Sequence, residues 1–347
     1  MKFPLKFFCV SILLLLPLAL MAWEAPAQAS SDDPDLERIV NFQLENDLFG
    51  GGTDRHYTHG SRISVFSSEE PTKFEEDFKN DLDSYIPKEL WPESKRIGFI
   101  LGQNMFTPED ISRSDLIEDD QPYAGWLYLG ALVVTENSSG DKSYLNTLEI
   151  NIGMIGPAAQ AEVIQTEVHR IKGIPLPNGW EHQLENEPGF VLYYEHKRNF
   201  RTEADVSGVK ADIMPSAGFA LGNVYTYGTL GALVRIGNNL QGDYGPPLIR
   251  PGLSGSGFFK RQKGFNWYLF AGVQCRAMGR NIFLDGNSFQ KSHSVSKKIL
   301  VGDLQVGFMV TFYERYRLGF TNVYRTKEFK GQREGDEFGS INLSIRW

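Results

Sequence analysis

Short segments with alternating apolar and polar residues recur along the chain, and they limit its possible folds more than any other feature. In residues 265–273, for example, every second position is apolar. A period of two places the apolar side chains of a strand on one face and the polar ones on the other. Segments of about ten such residues, separated by turn residues, are typical of a transmembrane β-barrel. Twelve candidate strands can be marked in this way, near residues 37–46, 58–67, 96–106, 123–136, 143–155, 188–199, 210–222, 226–238, 264–278, 298–312, 315–326 and 337–347.

The C-terminal segment shows this alternation without a fault. One face carries only apolar side chains, namely Ile341, Leu343, Ile345 and Trp347. An amphipathic strand that stops on an aromatic residue resembles the signal of outer-membrane barrels, so we expect Trp347 to engage the barrel assembly machinery. The closing strand of a soluble β-sandwich is the alternative interpretation. An even number of candidate strands favours closure into a twelve-stranded antiparallel transmembrane barrel.

The N-terminus has the pattern of a secretory signal peptide. Lys2 and Lys6 form a short basic region, residues 7–22 are an apolar run, and residues 27–29 (Ala-Gln-Ala) supply a cleavage site. A membrane anchor helix is the alternative, but the apolar run is shorter than the roughly 20 residues that such a helix needs. We therefore predict that residues 1–29 are a cleaved leader.

The remaining residues, 30–347, are expected to form one outer-membrane barrel domain. The whole chain has 35 Lys and Arg residues against 43 Asp and Glu residues, a net charge of −8. This acidic balance, without a basic stripe, argues against a nucleic-acid partner. Cys9 lies in the leader, so the mature chain keeps only Cys275 and cannot form an internal disulfide. Export without disulfides is compatible with a bacterial envelope protein.

The parity of the strands predicts which connections share a side of the membrane. If the N-terminus is periplasmic, connections after odd-numbered strands face outward, among them 47–57 and 156–187. Two long connections, 68–95 and 239–263, would then be periplasmic, although periplasmic turns of barrels are normally short. The first is interpreted as a solvated excursion, and the G-L-S-G-S-G motif at 252–257 as a flexible turn.

The first outward connection combines the residues that a hard cation prefers. Asn46 and Asp47 stand where the first strand ends, and Thr58 opens the second strand. The glycines at 50–52 allow backbone carbonyls and a carboxylate to fold around a cation. A polar hairpin loop with solvated acids is the alternative interpretation.

Residues 156–173 predict a helix in the second of these outward connections. Gly156 and Pro157 open it and Gly173 closes it, which is the usual asymmetry of helix ends. One stripe of the helix is apolar, with Ala161, Ile164, Val168 and Ile171 at three- and four-residue spacing. Such an amphipathic helix at the membrane rim could lie along the barrel wall.

His169 is the candidate general base. It lies in the last turn of the predicted helix, on the same rim as Asn46, Asp47 and Thr58. A histidine that deprotonates water, beside a cation that stabilises an oxyanion, is sufficient for ester hydrolysis. Gln165 precedes His169 by one helical turn and is expected to orient the imidazole by a hydrogen bond. A surface or packing role for His169 is the alternative.

Other side chains offer less. His56 and His59 are spaced i,i+3 beside a strand, with no cysteine nearby, which makes a zinc site a poor interpretation. His182 could support the site, whereas His196 and His293 show no partners in the sequence. No G-x-S-x-G elbow is present for a serine nucleophile.

Taken together, three motifs carry a family resemblance. They are E-N-D before the glycine-rich loop, Y-T-x-G at the second strand, and G-P…Q-x-x-x-H-R-x-x-G…G-W-x-x-Q-x-E-N in the long connection. Their combination resembles the lipid A 3-O-deacylase family of Gram-negative outer membranes, over nearly the whole mature chain. The resemblance implies calcium-dependent hydrolysis of the ester that holds the acyloxyacyl group at the 3-position of lipid A. It also implies a mechanism like that of calcium-dependent phospholipase A2.

The resemblance implies a role for each candidate residue. Asp47 matches the calcium-associated carboxylate, and Asn46 matches the neighbouring amide. Thr58 matches a hydroxyl at the start of the second strand, and His169 matches the base. Gln165 falls on a matching position.

The chain also departs from the family pattern. Pro175 stands where the family places a glutamate, six residues after the histidine, so Glu181 or Glu185 would have to substitute unless the role is dispensable. A lysine expected within 107–122 is absent, and Arg113 is the nearest cation. These departures concern the details of the substrate more than the class of reaction.

The sequence thus predicts an esterase that acts on lipid A, or lipopolysaccharide, in the outer leaflet of the outer membrane. Two alternatives stay open. One is an outer-membrane phospholipase with a serine nucleophile, and the other is a porin-like barrel without chemistry.

Overall fold

The structure is a computed structural model. It describes residues 38–50, 55–68, 72–77, 80, 95–137, 143–202, 206–252, 254–255 and 257–347. The predicted leader, 1–29, and two of the three loop glycines, Gly51 and Gly52, lie outside the described residues.

Twelve antiparallel strands form a closed barrel in which each strand pairs with its neighbours in the chain and β1 pairs with β12. The strands are β1 (Ile39–Asn46), β2 (His56–Phe66), β3 (Lys95–Thr107), β4 (Ala124–Asn137), β5 (Ser143–Ile155), β6 (Glu187–Arg201), β7 (Lys210–Gly222), β8 (Tyr225–Gly237), β9 (Asn266–Asn281), β10 (Leu300–Phe312), β11 (Tyr316–Arg325) and β12 (Asp336–Arg346). Every predicted segment overlaps one of them, which confirms the predicted fold class.

The described helices are short. They include α1 (Ala161–Lys172), α2 (Ile282–Asp285) and a helical stretch at 73–77, with single 3-10 turns at Asp47–Phe49, Pro157–Ala159, Trp180–His182 and Leu240–Gly242. Within the part of the chain that the structure describes, no helix has the length and apolar character needed to cross a membrane.

The barrel closes by pairing its first strand with its last. Ile39 lies opposite Arg346 and Asn46 opposite Gly339 in the β1–β12 register. Just beyond the strand ends, Arg38 and Trp347 exchange two backbone hydrogen bonds, of 2.9 and 3.1 Å. Both ends of the described chain therefore lie at one end of the barrel, and the connections after odd-numbered strands lie at the other.

The two faces of the wall differ in chemistry. The outward face carries exposed apolar side chains such as Leu129 (61% exposed) and Leu230 (68% exposed). The inward face carries buried charges in pairs. Asp303, for example, accepts hydrogen bonds from both Arg276 and Arg325 at 2.6–3.0 Å. An apolar exterior around a polar interior is the pattern of a membrane barrel.

The connection between β8 and β9 fills the barrel interior. Residues 239–263, hereafter the luminal segment, are held there by cations of the wall. Lys197 donates to the carbonyl of Ser254 at 3.0 Å, Arg317 to the Asp243 carboxylate at 2.7 Å, and Arg346 to the carbonyl of Phe259 at 3.1 Å. This segment is the long inner connection for which the sequence offered no role.

One expectation about the inner connections needs correction. Ser254, in the motif predicted to be a flexible turn, is buried, and its hydroxyl oxygen accepts a hydrogen bond from the Leu248 N–H at 3.0 Å. The described part of that motif is therefore packed inside the barrel. In the predicted solvated excursion, most of which lies outside the described residues, the side chains at 72–74, 76–77 and 80 are exposed, and Glu75 is buried and pairs with Arg38 at 2.9 Å.

Candidate active site

A β-bulge at the start of β2 sets up the site. In the pairing of β2 with β3, Tyr57 lies opposite Phe106 and His59 opposite Met105, so Thr58 is an extra residue without a partner in the ladder. A bulge of this kind re-aims neighbouring side chains. Consequently two consecutive residues, Thr58 and His59, both line a cavity on the outer wall.

Helix α1 lies against the outer face of β3 and β4. The contact is close because Gly125 has no side chain: a Cβ there would come within 2.6 Å of the Ala161 Cβ and 3.0 Å of the Ala159 Cβ. Gly125 shares its face of β4 with the exposed Leu129, so this is the outer side of the wall. The Gln103 amide donates to the Ala159 carbonyl at 2.6 Å and fixes the turn that precedes the helix.

The ends of α1 follow the sequence prediction with one shift. The helix starts at Ala161 rather than Pro157, because Gln160 adopts a left-handed conformation (φ 58°) after the 3-10 turn. It ends at Gly173 (φ 66°), whose N–H bonds the Arg170 carbonyl. A left-handed glycine is the usual way to close a helix.

A small apolar cluster holds α1 in place. The cluster consists of Met105, Tyr123, Ala161 and Trp180, with Ile111 and Ile164 packed against it. The rings of Tyr123 and Trp180 have centroids 4.8 Å apart. Trp180 also donates its indole N–H to the Gln165 side-chain oxygen at 2.9 Å. Helix, wall and the 180–182 turn thus form one packed unit outside the barrel.

Between α1 and the wall lies a cavity, hereafter the wall pocket. It is lined by Asn46, Leu48, Thr58, His59, Met105, Ile164, Gln165, Val168, His169 and Lys172. Four of the five predicted site residues therefore meet in one place. The fifth, Asp47, is buried, and in the sequence it stands between two lining residues, Asn46 and Leu48.

The imidazole of His169 is oriented by the backbone of Pro175. Its Nδ1 lies 2.6 Å from the Pro175 carbonyl oxygen. A carbonyl only accepts hydrogen bonds, so Nδ1 carries the proton and Nε2 of the neutral ring can accept one. The position where the family pattern has a glutamate thus contributes a carbonyl. Glu181 and Glu185, the expected substitutes, are exposed.

Gln165 has a different partner from the one expected. Its side-chain oxygen accepts from the Trp180 N–H rather than orienting the imidazole. Because an indole N–H only donates, the identity of the two amide ends is fixed. The Gln165 Nε2 is buried and has no hydrogen-bond partner within the described part of the chain. It is therefore a donor available to a group bound in the wall pocket.

Asn46 and Thr58 are locked together. The Asn46 amide donates to the Thr58 carbonyl at 2.7 Å, and its oxygen accepts from the Leu48 N–H at 3.1 Å. The Thr58 and Thr107 hydroxyl oxygens are 2.7 Å apart. These bonds join the end of β1 to the bulge of β2 and to the end of β3.

Asp47 is the residue best suited to a hard cation. Its carboxylate is buried, and one oxygen accepts the Arg55 N–H at 2.6 Å across the loop whose middle, 51–54, lies outside the described residues. No group of three or more His, Cys, Asp or Glu side chains arranged to hold a metal ion is found among the described residues. Calcium takes roughly six to eight oxygen ligands, many of them neutral, so a single buried carboxylate with backbone carbonyls near it is compatible with calcium.

His56 has a structural role that the sequence did not show. Its ring nitrogens lie 2.6 Å from Asp336 and 3.2 Å from Asp120, and Gln332 donates to Asp336 at 2.8 Å. Burial alone would raise the pKa of the Asp120 carboxyl, but hydrogen bonds from His56 and the Glu109 N–H hold that pKa below its ordinary value. The cluster links the β3–β4 connection to the β11–β12 connection. Both connections lie at the same end of the barrel as the wall pocket.

A closed β-barrel with an apolar outer wall, and a pocket between that wall and an external helix, defines an outer-membrane protein with a candidate site outside its lumen. A family model described as Outer membrane protein LpxR matches residues 12–347. The chain therefore belongs to the LpxR family, and it is a protein of the outer membrane.

A solved structure supports the same architecture. LpxR from Salmonella typhimurium matches with a TM-score of 0.70 at 21% identity, covering 88% of this chain and 99% of that chain. The translocator domain of the autotransporter NalP from Neisseria meningitidis matches with a TM-score of 0.42 at 10% identity, covering 99% of each chain. At these identities the likeness concerns the fold. Comparison with curated proteins finds no match.

Proposed function

We propose that this protein is a calcium-dependent esterase that removes the acyloxyacyl group from the 3-position of lipid A in the outer leaflet. The observation that carries the proposal is the wall pocket, which collects Asn46, Thr58, Gln165 and His169 on the outer wall, at the end opposite the termini. Membership of the LpxR family and the barrel shared with the Salmonella protein support it.

In this proposal His169 is the general base. The Pro175 carbonyl holds the proton on Nδ1, which leaves Nε2 to take a proton from the attacking water. The hydrogen bond also fixes the ring in one orientation, so little reorganisation accompanies the transfer. Base catalysis of this kind contributes about 10²- to 10⁴-fold to a rate.

The ester carbonyl oxygen, which gains negative charge during the attack, needs donors that are already in place. Gln165 supplies one, because Trp180 holds its oxygen and leaves Nε2 directed elsewhere. Asn46 and Thr58 keep the opposite side of the pocket rigid. A calcium ion beside Asp47, when bound, would supply the positive charge that stabilises the developing oxyanion.

The surroundings of the pocket suit a lipid substrate. Leu48, Met105, Ile164 and Val168 give it apolar sides, and Lys172 gives it one cation. Because the pocket lies on the lipid-facing side of the wall, acyl chains can reach it from the bilayer without entering the barrel. A cation at the rim is suited to an anionic lipid such as lipid A.

The two alternatives are less well supported. A porin requires an open lumen, whereas the luminal segment here packs inside the barrel. A serine esterase requires a serine beside its base, and the described lining of the wall pocket contains no serine. The only hydroxyl in that lining, on Thr58, is engaged with Thr107.

The test is expression of the wild type and of His169→Ala in a Gram-negative host, followed by mass spectrometry of lipid A. Loss of the 3-linked acyloxyacyl mass is expected with the wild type only, and a calcium chelator should suppress it in isolated membranes. His196→Ala is the matched control, because His196 bonds Asn146 on the barrel wall, away from the pocket lining. Unchanged lipid A in the presence of folded wild-type protein would refute the proposal.

A further inference from the structure

We propose that Glu45, inside the barrel, is a positioning residue for the wall pocket outside it, acting through Tyr57 and the β2 bulge. The inference rests on the proposed function, since it assigns a means by which that site is held in shape. It concerns Glu45 and Tyr57, which immediately precede Asn46 and Thr58 in the chain. The side chains of Glu45 and Tyr57 point away from the wall pocket.

Glu45 connects the luminal segment to the bulge. Its carboxylate is fully buried, and each oxygen has its own donor. The Tyr57 hydroxyl donates to Oε2 at 2.9 Å, and the backbone N–H of Ile249 donates to Oε1 at 2.8 Å. One carboxylate therefore bridges the luminal segment and the strand that carries Thr58.

The position of Tyr57 identifies what this bridge controls. A Cβ on Gly60 would lie 2.1 Å from the Tyr57 hydroxyl oxygen and 3.0 Å from Ile249 Cδ1, so Tyr57 and Gly60 share the luminal face. In a regular strand, residues three apart point to opposite faces. They share a face here because the bulge adds one residue, which leaves Thr58 and His59 both outward.

The hydrogen bond between Glu45 and Tyr57 thus determines which side chains of β2 face the lumen and which face outward. A strand that slips by one residue moves every side chain to the other face. With Tyr57 fixed inside by Glu45, and packed 5.0 Å from the Phe338 ring, the extra residue can only be accommodated at Thr58. The Asn46 amide bonds the Thr58 carbonyl at this same point, so the geometry of the bulge passes directly to the pocket.

The luminal segment supplies the fixed end of the bridge. Arg250, the neighbour of Ile249, pairs with Glu195 at 2.9 Å, and Arg325 donates to the Pro251 carbonyl at 2.8 Å. The two residues that follow Ile249 are therefore each bonded to the barrel wall, on opposite sides of the lumen, and this holds Ile249 in place. In this arrangement the luminal segment supports the chemistry outside the barrel as well as filling its interior.

The experiment uses the full-length protein, purified in detergent, with lipid A as substrate. Tyr57→Phe keeps the ring and removes the hydroxyl, and we expect kcat to fall about tenfold with KM nearly unchanged, because alignment rather than binding is lost. Tyr193→Phe is the matched control. Tyr193 is equally buried in the barrel, but its hydroxyl has no hydrogen-bond partner among the described residues, so its removal should leave kcat unchanged.

Two further variants separate positioning from general stability. Glu45→Gln can still accept from Ile249 through its oxygen and donate to Tyr57 through its amide, so most of the wild-type kcat should return relative to Glu45→Ala. Gly60→Ala should lower kcat by displacing Tyr57. Amide exchange of the 56–61 peptide provides a readout independent of activity, and it should accelerate in Tyr57→Phe but not in Tyr193→Phe.

The outcomes separate this inference from the proposed function. If the wild type deacylates lipid A and His169→Ala does not, a Tyr57→Phe variant with wild-type kcat overturns the inference alone. If the wild type is inactive, the proposed function fails, and amide exchange at 56–61 still decides the structural part. Unchanged exchange in Tyr57→Phe would then overturn the positioning role.

Discussion

The lumen and the wall pocket are built from the same strands but differ in the groups they hold: the lumen holds buried ion pairs, and the wall pocket holds an uncharged donor beside a cavity. In the lumen, charges are matched to each other: Asp303 holds Arg276 and Arg325, and Asp212 pairs with Arg235 at 2.6 Å. In the wall pocket, Gln165 keeps a donor without a partner among the described residues. We infer that the luminal ion pairs serve stability, whereas the Gln165 donor is available to the proposed substrate.

This difference follows from what each region faces. Buried charges destabilise a protein strongly unless each is paired, so the loss of one partner from a luminal ion pair should be costly. A site that acts on a substrate must instead hold some hydrogen-bonding capacity in reserve. Variants in the two regions should therefore separate folding from activity.

The largest effect is expected from Asp303→Ala in the lumen. It leaves Arg276 and Arg325 buried without their carboxylate, and removing one partner of a buried pair costs about 3–5 kcal/mol. The measurement is the free energy of unfolding in urea, followed by heat-modifiable mobility on gels. Leu304→Ala, on the lipid-facing side of the same strand, should cost far less. An equal loss in both variants would contradict the division between lumen and wall.

Gln165→Glu should have the next largest effect, on activity rather than folding. A glutamate can still accept the Trp180 N–H, but it offers no donor to the substrate, so the rate should fall by about 10²-fold. Lipid A deacylation by purified protein measures this, together with the urea midpoint. Glu167→Gln, on the exposed side of α1, is the control. Full activity of Gln165→Glu would remove Gln165 from the proposed site.

Asp47→Asn tests the proposed calcium ligand. Loss of the negative charge should raise the calcium concentration needed for half-maximal activity by about tenfold or more, because calcium affinity depends on the charge of its ligands. A titration of activity against calcium measures the shift, with Asp110→Asn, in an exposed outer connection, as the control. Full activity of Asp47→Asn at low calcium would refute the metal assignment.

The smallest effect is expected at the outer rim, from the pH dependence of the His56–Asp120 contact. The Asp120 pKa is held below its ordinary value in the folded protein. The ionised Asp120 carboxylate therefore contributes fully to stability at pH values above the ordinary pKa of about 3.9. This contribution should be lost as the pH falls through the lower folded-state value. As the pH is lowered from neutral, amide exchange of the 108–123 connection should rise only in that acid range, and Asp120→Asn should show raised exchange at neutral pH. A rise at neutral pH in the wild type would contradict this.

The barrel could be predicted from the sequence because membrane strands repeat a simple period. Apolar and polar residues alternate over about ten residues in each strand, and the C-terminal strand that ends on an aromatic residue indicates an outer-membrane barrel. Strand parity then places the loop of Asp47 and the helix of His169 at the same rim of the barrel. The helix itself was recognisable from its glycine ends and its apolar stripe.

Other features depend on contacts that residue types do not encode. The luminal segment has no period, and its partners Lys197, Arg317 and Arg346 lie on three different strands. The carbonyl of Pro175 acts through the backbone, which the identity of the side chain does not reveal. The bulge at Thr58 was hidden for a related reason, since it shows only as a shift in pairing with β3.

The seam between β1 and β12 ties the site to the order of assembly. The strand that ends in Asn46 is the first of the barrel, and its second neighbour is β12, which follows the other eleven strands in chain order. Until that strand arrives, β1 has a partner on one side only. Closure of this seam therefore completes the backbone pairing of the strand that ends in Asn46, and the wall pocket borders the strand whose pairing closes the barrel.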